Sequence, residues 1–67
     1  MQYGICVVPV MPVRATPSHI SEIISQLIFG ECFTIHEKVN EAWMKVQCRH
    51  DGYEGWCAIN QGVTVEQ

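Results

Sequence analysis

Residues that interrupt helices occur so often in this chain that they leave little room for a long one. They fall at intervals from the first strand-like segment to the end of the chain, at Pro9, Pro12, Pro17, Gly30, Asn40, Asp51, Gly52, Gly55 and Gly62. Short segments between such residues are typical of strands joined by turns. The pattern therefore predicts an all-β fold.

The size of the chain limits it to a single domain spanning residues 1–67. A chain of this length buries only about 60% of the surface that it exposes when unfolded. The composition is 48% hydrophobic and 16% charged, which is too apolar for a disordered tail. We therefore expect one compact core.

The charge balance disfavours two classes of partner. The formal net charge is −3, which opposes binding to a phosphate backbone or an anionic membrane surface. No apolar run approaches the roughly 20 residues of a membrane span, and no basic start precedes an apolar stretch as in a secretory signal. We expect no nucleic-acid or membrane partner. The chain as written is expected to be cytoplasmic, and export of a longer parent protein stays open.

The four cysteines, Cys6, Cys32, Cys48 and Cys57, allow three interpretations. They form no C-x-x-C pair, and the one tight grouping, Cys48 with His50, has poor spacing for structural zinc. Each lies among β-branched or aromatic residues, where a free thiol behaves as a small apolar side chain. We therefore expect core thiols, no metal and no cofactor, with a disulfide as the next alternative.

Two segments show the alternation of a half-buried strand. They run from Cys32 to Glu37 and from Ala42 to Cys48, and they are predicted to pair in antiparallel fashion through a turn near Asn40 and Glu41. One face of the pair is apolar and consists of Phe33, Ile35, Ala42, Met44, Val46 and Cys48.

A second hairpin is predicted at Asp51-Gly52, because this dipeptide accepts positive φ angles at little cost. It leads into a strand from Tyr53 to Ala58, in which we expect Gly55 to mark a bend or bulge. Val63 and Val65 alternate after Gly62 and indicate a closing strand.

The segment from Ser18 to Phe29 fits two structures. Ser18 followed by apolar residues at helical spacing up to Leu27 fits a capped amphipathic helix. The β-branched residues, the preceding proline and the following Gly30 fit a buried strand equally well. We expect a short helical turn over residues 18–22 and a strand over residues 23–29.

The order of these motifs resembles the bacterial SH3 domain that precedes the NlpC-type cysteine peptidase domain of γ-D-glutamyl-L-diamino acid endopeptidases, the dipeptidyl-peptidase VI type. The motifs are Arg14-Ala15-Thr16-Pro17, Ser21-Glu22, Gln26-Leu27, Phe29-Gly30-Glu31, Trp43 and Asp51-Gly52-Tyr53-Glu54-Gly55-Trp56. The resemblance implies a small SH3-like barrel of five or six short, strongly bent antiparallel strands. It also implies a long loop after the first strand, where the helical turn would lie.

The resemblance implies a non-catalytic recognition module rather than an enzyme. Cys48 and Cys57 lie on predicted strands and lack the helix N-terminus that activates a nucleophilic thiol. A longer parent protein would be a cysteine peptidase of the NlpC type. The domain would then gate its substrate, selecting peptides with a free N-terminal L-Ala. The alternative is a cell-wall targeting or protein-interaction scaffold module that acts on its own.

The resemblance marks Glu22 and Tyr53 as substrate-binding residues. The expected partner is a cell-wall peptide of the L-Ala-γ-D-Glu-diamino acid type, bound jointly with a catalytic domain in cis. Trp43 and Trp56 could line the same groove as amphipathic anchors, although bulky rings also fill the ends of small barrels, which is the more expected place for Trp56. No role is assigned to the three histidines, expected to be solvated: His19, His36 and His50.

Overall fold

The computed structural model describes residues 2–66 of the chain and confirms the all-β class. The strands are β1 (Gln2–Cys6), β2 (Val10–Arg14), β3 (Ile23–Ile28), β4 (Cys32–Val39), β5 (Trp43–Cys48), β6 (Glu54–Ala58) and β7 (Gly62–Glu66). A short 3₁₀ turn, Ile59–Gln61, separates β6 from β7. No α-helix of transmembrane length occurs in the described part of the chain.

All seven strands belong to one antiparallel sheet in the order β3-β2-β6-β5-β4-β1-β7. The sheet bends back on itself, so that β1 reaches the turn between β3 and β4. There the Cys6 amide donates to the Glu31 carbonyl at 2.9 Å, and the Gly30 amide donates to the Cys6 carbonyl at 2.8 Å. The bend encloses the core between the two halves of the sheet.

The predicted alternation places the core correctly on β4 and β5, except that Ala42 is exposed and lies in the turn before β5. Phe33, Ile35, Met44, Val46 and Cys48 are all buried, and the intervening side chains are not. The remaining apolar core residues come from β1, β2, β3 and β6, namely Cys6, Met11, Val13, Leu27 and Cys57.

Both predicted hairpin turns are present. Asn40 and Glu41 each have φ near 55° at the centre of a turn in which the Ala42 amide donates to the Val39 carbonyl at 3.2 Å. Gly52 has φ 76° at the start of the segment leading to β6. Gly55 lies in an unbroken register with β5, so the expected bulge at Gly55 is wrong.

The loop between β2 and β3, residues 15–22, forms one turn rather than a helix. The Ser21 amide donates to the Ser18 carbonyl at 3.1 Å, and the Thr16 amide donates to the Ser21 hydroxyl at 2.9 Å. The apolar residues at helical spacing do not form a buried face, because Ile20 is 96% exposed and Ile23 is also exposed. Pairing with β2 instead makes residues 23–28 a strand, as expected.

The sheet has one strand more than the upper expected number. The additional strand is β1, which lies between β4 and β7 and has no predicted counterpart in the sequence pattern. Both partners are distant in sequence, so no local pattern indicates the pairing. Gly4 on β1 faces inward, where a Cβ atom would collide with the ring of Phe33.

Candidate functional site

Trp43 and Trp56 lie on the outer face of the sheet. Trp43 pairs with Ala58 and Lys45 pairs with Trp56, which places the two indoles in diagonal positions on neighbouring strands. The inward positions of β6 are occupied by the buried Gly55 and Cys57. The expectation that Trp56 plugs an end of the barrel is therefore wrong, and both indoles are partly exposed.

The β2–β3 loop continues this surface. The ring of His19 lies 4.8 Å from the ring of Trp43, centroid to centroid, with the planes inclined by 54°. Arg14 pairs with Trp56 across β2 and β6, and its Nη1 donates to the Ser21 carbonyl at 3.0 Å. We call Arg14, His19, Trp43 and Trp56 the aromatic face. His19 is exposed, as expected, and its ring also contacts Trp43.

Glu22 lies at the end of the loop, immediately before β3. Its carbonyl accepts the Ala15 amide at 2.9 Å, which fixes the backbone of the loop end. Its side chain is exposed and makes no hydrogen bond or ion pair with the residues that the structure describes. The carboxylate is therefore available to a ligand in solvent.

Tyr53 lies immediately before β6, after the tight turn, and its side chain is 56% exposed. Its carbonyl accepts the Cys48 amide at 2.9 Å, and its own amide donates to Asp51 Oδ1 at 3.0 Å. These two bonds fix the backbone that carries the ring. The ring itself presents a large apolar surface to solvent.

The segments that carry Glu22 and Tyr53 are joined by a side-chain hydrogen bond. The Ser25 hydroxyl on β3 donates to Asp51 Oδ2 at 2.7 Å. Together with the Tyr53 amide, the Ser25 hydroxyl holds the pKa of Asp51 below its usual range. Among residues 2–65 no hydrogen bond or ion pair joins Glu22 directly to Tyr53. The bond between Ser25 and Asp51 joins the two segments without occupying the side chain of Glu22 or Tyr53.

The other two histidines also make polar contacts. Nδ1 of His50 lies 3.5 Å from Glu31 Oε2, and Nε2 lies 3.2 Å from Asp51 Oδ2. Nε2 of His36 lies 3.2 Å from Gln47 Oε1. Both rings are exposed, as expected, and His50 also joins the β3–β4 turn to the β5–β6 turn.

The cysteines are free thiols, but the expectation that all four lie in the core is wrong for Cys32. Cys6, Cys48 and Cys57 are buried, whereas Cys32 is exposed. Burial, followed by the charge of Asp51, raises the pKa of Cys48 to about 11. Burial, followed by the other buried thiols, raises the pKa of Cys57 to about 12. A thiol with so high a pKa carries little thiolate at neutral pH and is a poor nucleophile.

No cluster of three or more His, Cys, Asp or Glu side chains within residues 2–65 is arranged to hold a metal ion.

The family model of the bacterial dipeptidyl-peptidase SH3 domain matches residues 13–61. The match begins within β2, ends in the 3₁₀ turn, and includes the β2–β3 loop, the aromatic face and both hairpins. Searches of curated proteins and of solved structures found no match.

This chain belongs to the family of bacterial dipeptidyl-peptidase SH3 domains. It is a non-catalytic, SH3-like module of a kind associated with peptidases. The resemblance given by the sequence motifs is thereby confirmed at the level of the family.

Proposed function

We propose that this domain gates the substrate of an NlpC-type cell-wall peptidase by selecting peptides with a free N-terminal L-Ala. In this proposal the peptide is of the L-Ala-γ-D-Glu-diamino acid type and lies between the domain and a catalytic domain in cis. Glu22 meets the terminal ammonium group, and Tyr53 forms one wall beside it.

The proposal is supported by an unoccupied carboxylate and an exposed ring that lie on two segments joined by a side-chain hydrogen bond. The Glu22 carboxylate has no partner among the described residues, and the Ser25 to Asp51 bond of 2.7 Å joins its strand to the Tyr53 turn. An ammonium group that enters a cleft needs a counter-charge within hydrogen-bond reach, because an unpaired buried charge is strongly unfavourable. Glu22 supplies that charge.

Selectivity follows from the same requirement. A peptide whose amino terminus carries a sugar or an acyl group has no positive charge for Glu22 to bind. The added group would also have to fit beside the Tyr53 ring. Both effects favour the free terminus over the blocked one.

The test uses the ¹⁵N-labelled 67-residue chain and the tripeptide L-Ala-γ-D-Glu-L-Lys, with the N-acetylated tripeptide as its matched ligand. We expect the free tripeptide to shift the amide resonances of Glu22, Ile23 and Tyr53 at millimolar concentration. The acetylated tripeptide should shift them much less. Binding should be weak because Glu22 is exposed to solvent, which screens an ion pair.

The result that would overturn the proposal is an absence of shifts at Glu22 and Tyr53, or equal shifts with both tripeptides. The alternative function, a cell-wall targeting or protein-interaction scaffold, is favoured by the exposed rings of the aromatic face. It predicts shifts centred on Trp43 and Trp56 with no dependence on the N-terminal charge.

A further inference from the structure

A small cavity lies on the side of the sheet formed by β1, β4 and β7, apart from the proposed gating residues. Its volume is about 190 Å³, and it is lined by Tyr3, Gly4, Ile5, Cys32, Arg49 and Val65. Tyr3 and Ile5 alternate with the buried Gly4 and Cys6, so they point away from the core. The walls of the cavity are therefore mainly apolar.

The guanidinium group of Arg49 places a positive charge at this cavity. The guanidinium carbon of Arg49 lies 4.8 Å from the centre of the Tyr3 ring, a cation–π distance that holds the group over the ring. No ion pair joins Arg49 to an acidic side chain among residues 2–65. The guanidinium therefore keeps its hydrogen-bond donors available to a ligand.

The acidic residues that flank Arg49 in the fold are already occupied. Glu31, next to Cys32 of the cavity wall, lies 3.5 Å from His50 and accepts the Ile28 amide at 2.8 Å. Asp51 accepts from Ser25 and lies 3.2 Å from His50. Among residues 2–65 neither carboxylate forms an ion pair with Arg49.

We propose that this cavity is a second binding site, which takes a carboxylate group attached to one small apolar side chain. The carboxylate would accept hydrogen bonds from the planar guanidinium of Arg49, whose donors match both oxygens of a carboxylate. The apolar side chain would lie against Ile5 and Val65. A volume of about 190 Å³ is below the range of drug-sized ligands, which suits a single amino-acid end.

This second site is independent of the proposed gating function. Glu22 would bind an ammonium group, whereas Arg49 would bind a carboxylate, and the two lie on different strands and turns. The second site would hold a free N-acylated amino acid or the carboxyl end of a peptide, since both present the same group.

The test titrates the ¹⁵N-labelled chain with N-acetyl-L-leucine and, as the matched ligand without charge, with N-acetyl-L-leucinamide. We expect saturable shifts of the Tyr3, Ile5 and Val65 amides with the acid. The amide should bind about fivefold more weakly, as expected for loss of one partly exposed ion pair. A third titration with N-acetyl-Ala-Ala-Leu distinguishes the two sources of the carboxylate. If this peptide binds, the site takes the carboxyl ends of peptides. If this peptide fails to bind while N-acetyl-L-leucine binds, the site takes free N-acylated amino acids.

The variant Arg49→Gln should lower the affinity for N-acetyl-L-leucine to that of the amide, while Lys45→Gln, which removes a positive charge elsewhere, should leave it unchanged. Arg49→Lys keeps the positive charge but lacks the planar group that can donate to both carboxylate oxygens, so it should give an intermediate affinity. The spectrum of each variant shows whether it is folded. Equal binding of acid and amide, no saturable shift at Tyr3, or full affinity in Arg49→Gln would overturn the proposal.

Discussion

Replacing Gly55 by alanine tests how closely β2 and β6 approach each other beneath the aromatic face. A Cβ atom at Gly55 would lie 2.6 Å from Val13 Cγ1, 2.8 Å from the Arg14 carbonyl oxygen and 3.2 Å from Ile24 Cδ1. Val13 is β-branched and fully buried, so its side chain has little room to rotate. The Arg14 oxygen belongs to the backbone. The alanine therefore forces β2 to move.

The cost follows from two opposing effects. Overpacking that shifts backbone costs about 1–3 kcal/mol, and the loss of glycine's freedom in the unfolded chain returns about 0.4–1 kcal/mol. The net destabilisation of Gly55→Ala is about 1–2 kcal/mol. In a domain of this size that lowers Tm by roughly 4–15 °C.

Thermal unfolding followed by circular dichroism measures this effect, with Gly62→Ala as the matched control. Gly62 also lies in extended backbone, and the nearest backbone atom to its Cβ position is the Ile5 oxygen at 3.3 Å. We expect a smaller loss in Gly62→Ala than in Gly55→Ala. A Gly55→Ala variant that melts at the wild-type temperature, or above Gly62→Ala, would refute the close approach.

Three other predictions follow from the register, the thiols and the turn. Val46→Asp should unfold the domain because Val46 is fully buried, whereas Lys45→Asp on the outer face should change Tm little; equal tolerance in thermal melts would contradict the register. Thiol titration should find one fast-reacting group, Cys32, in the native chain and four after denaturation without reductant, and more than one fast group would contradict the burial. The pKa of Asp51 is lower in the folded than in the unfolded chain. The ionised Asp51 carboxylate therefore stabilises the fold at pH values above its pKa in the unfolded chain, and this stabilisation is lost as the pH falls through its pKa in the folded chain. In Asp51→Asn the free energy of unfolding should therefore fall less steeply with decreasing pH than in the wild-type chain. If urea unfolding shows the same dependence on acid pH in both chains, the Ser25 bond does not form.

Local periodicity determines part of this fold, and particular residues show where it stops. The alternation on β4 made Phe33 and Ile35 core residues, and the same alternation requires Cys32 to face outward. The error over Cys32 came from treating its apolar neighbours as evidence of burial. That error was avoidable from the sequence.

Other features depend on contacts between distant segments. β1 exists because β4 and β7 pair with it, and its five residues carry no sufficient signal of their own. The outward position of Trp56 follows from the burial of Gly55 beside Val13, which only the sheet order reveals. The contact of Arg49 with the Tyr3 ring likewise joins β1 to the turn after β5. Propensity and period contain no information about such pairs.

The proposed roles of Glu22 and Tyr53 rest on residue-by-residue resemblance to the peptidase-associated SH3 domains. The structure adds that both side chains are exposed and that Asp51 ties their segments together. The charge of Glu22 is therefore the feature on which the gating proposal depends most.

The most direct measurement of that feature is a two-by-two affinity comparison by NMR titration. It combines the wild-type chain and Glu22→Gln with the free and the N-acetylated tripeptide L-Ala-γ-D-Glu-L-Lys, and Glu37→Gln on β4 serves as the control for loss of an exposed carboxylate. We expect the wild-type chain and Glu37→Gln to prefer the free tripeptide by about two- to fivefold, the range of an exposed ion pair. Glu22→Gln should bind both tripeptides equally. A preference for the free tripeptide that persists undiminished in Glu22→Gln would contradict the gating account.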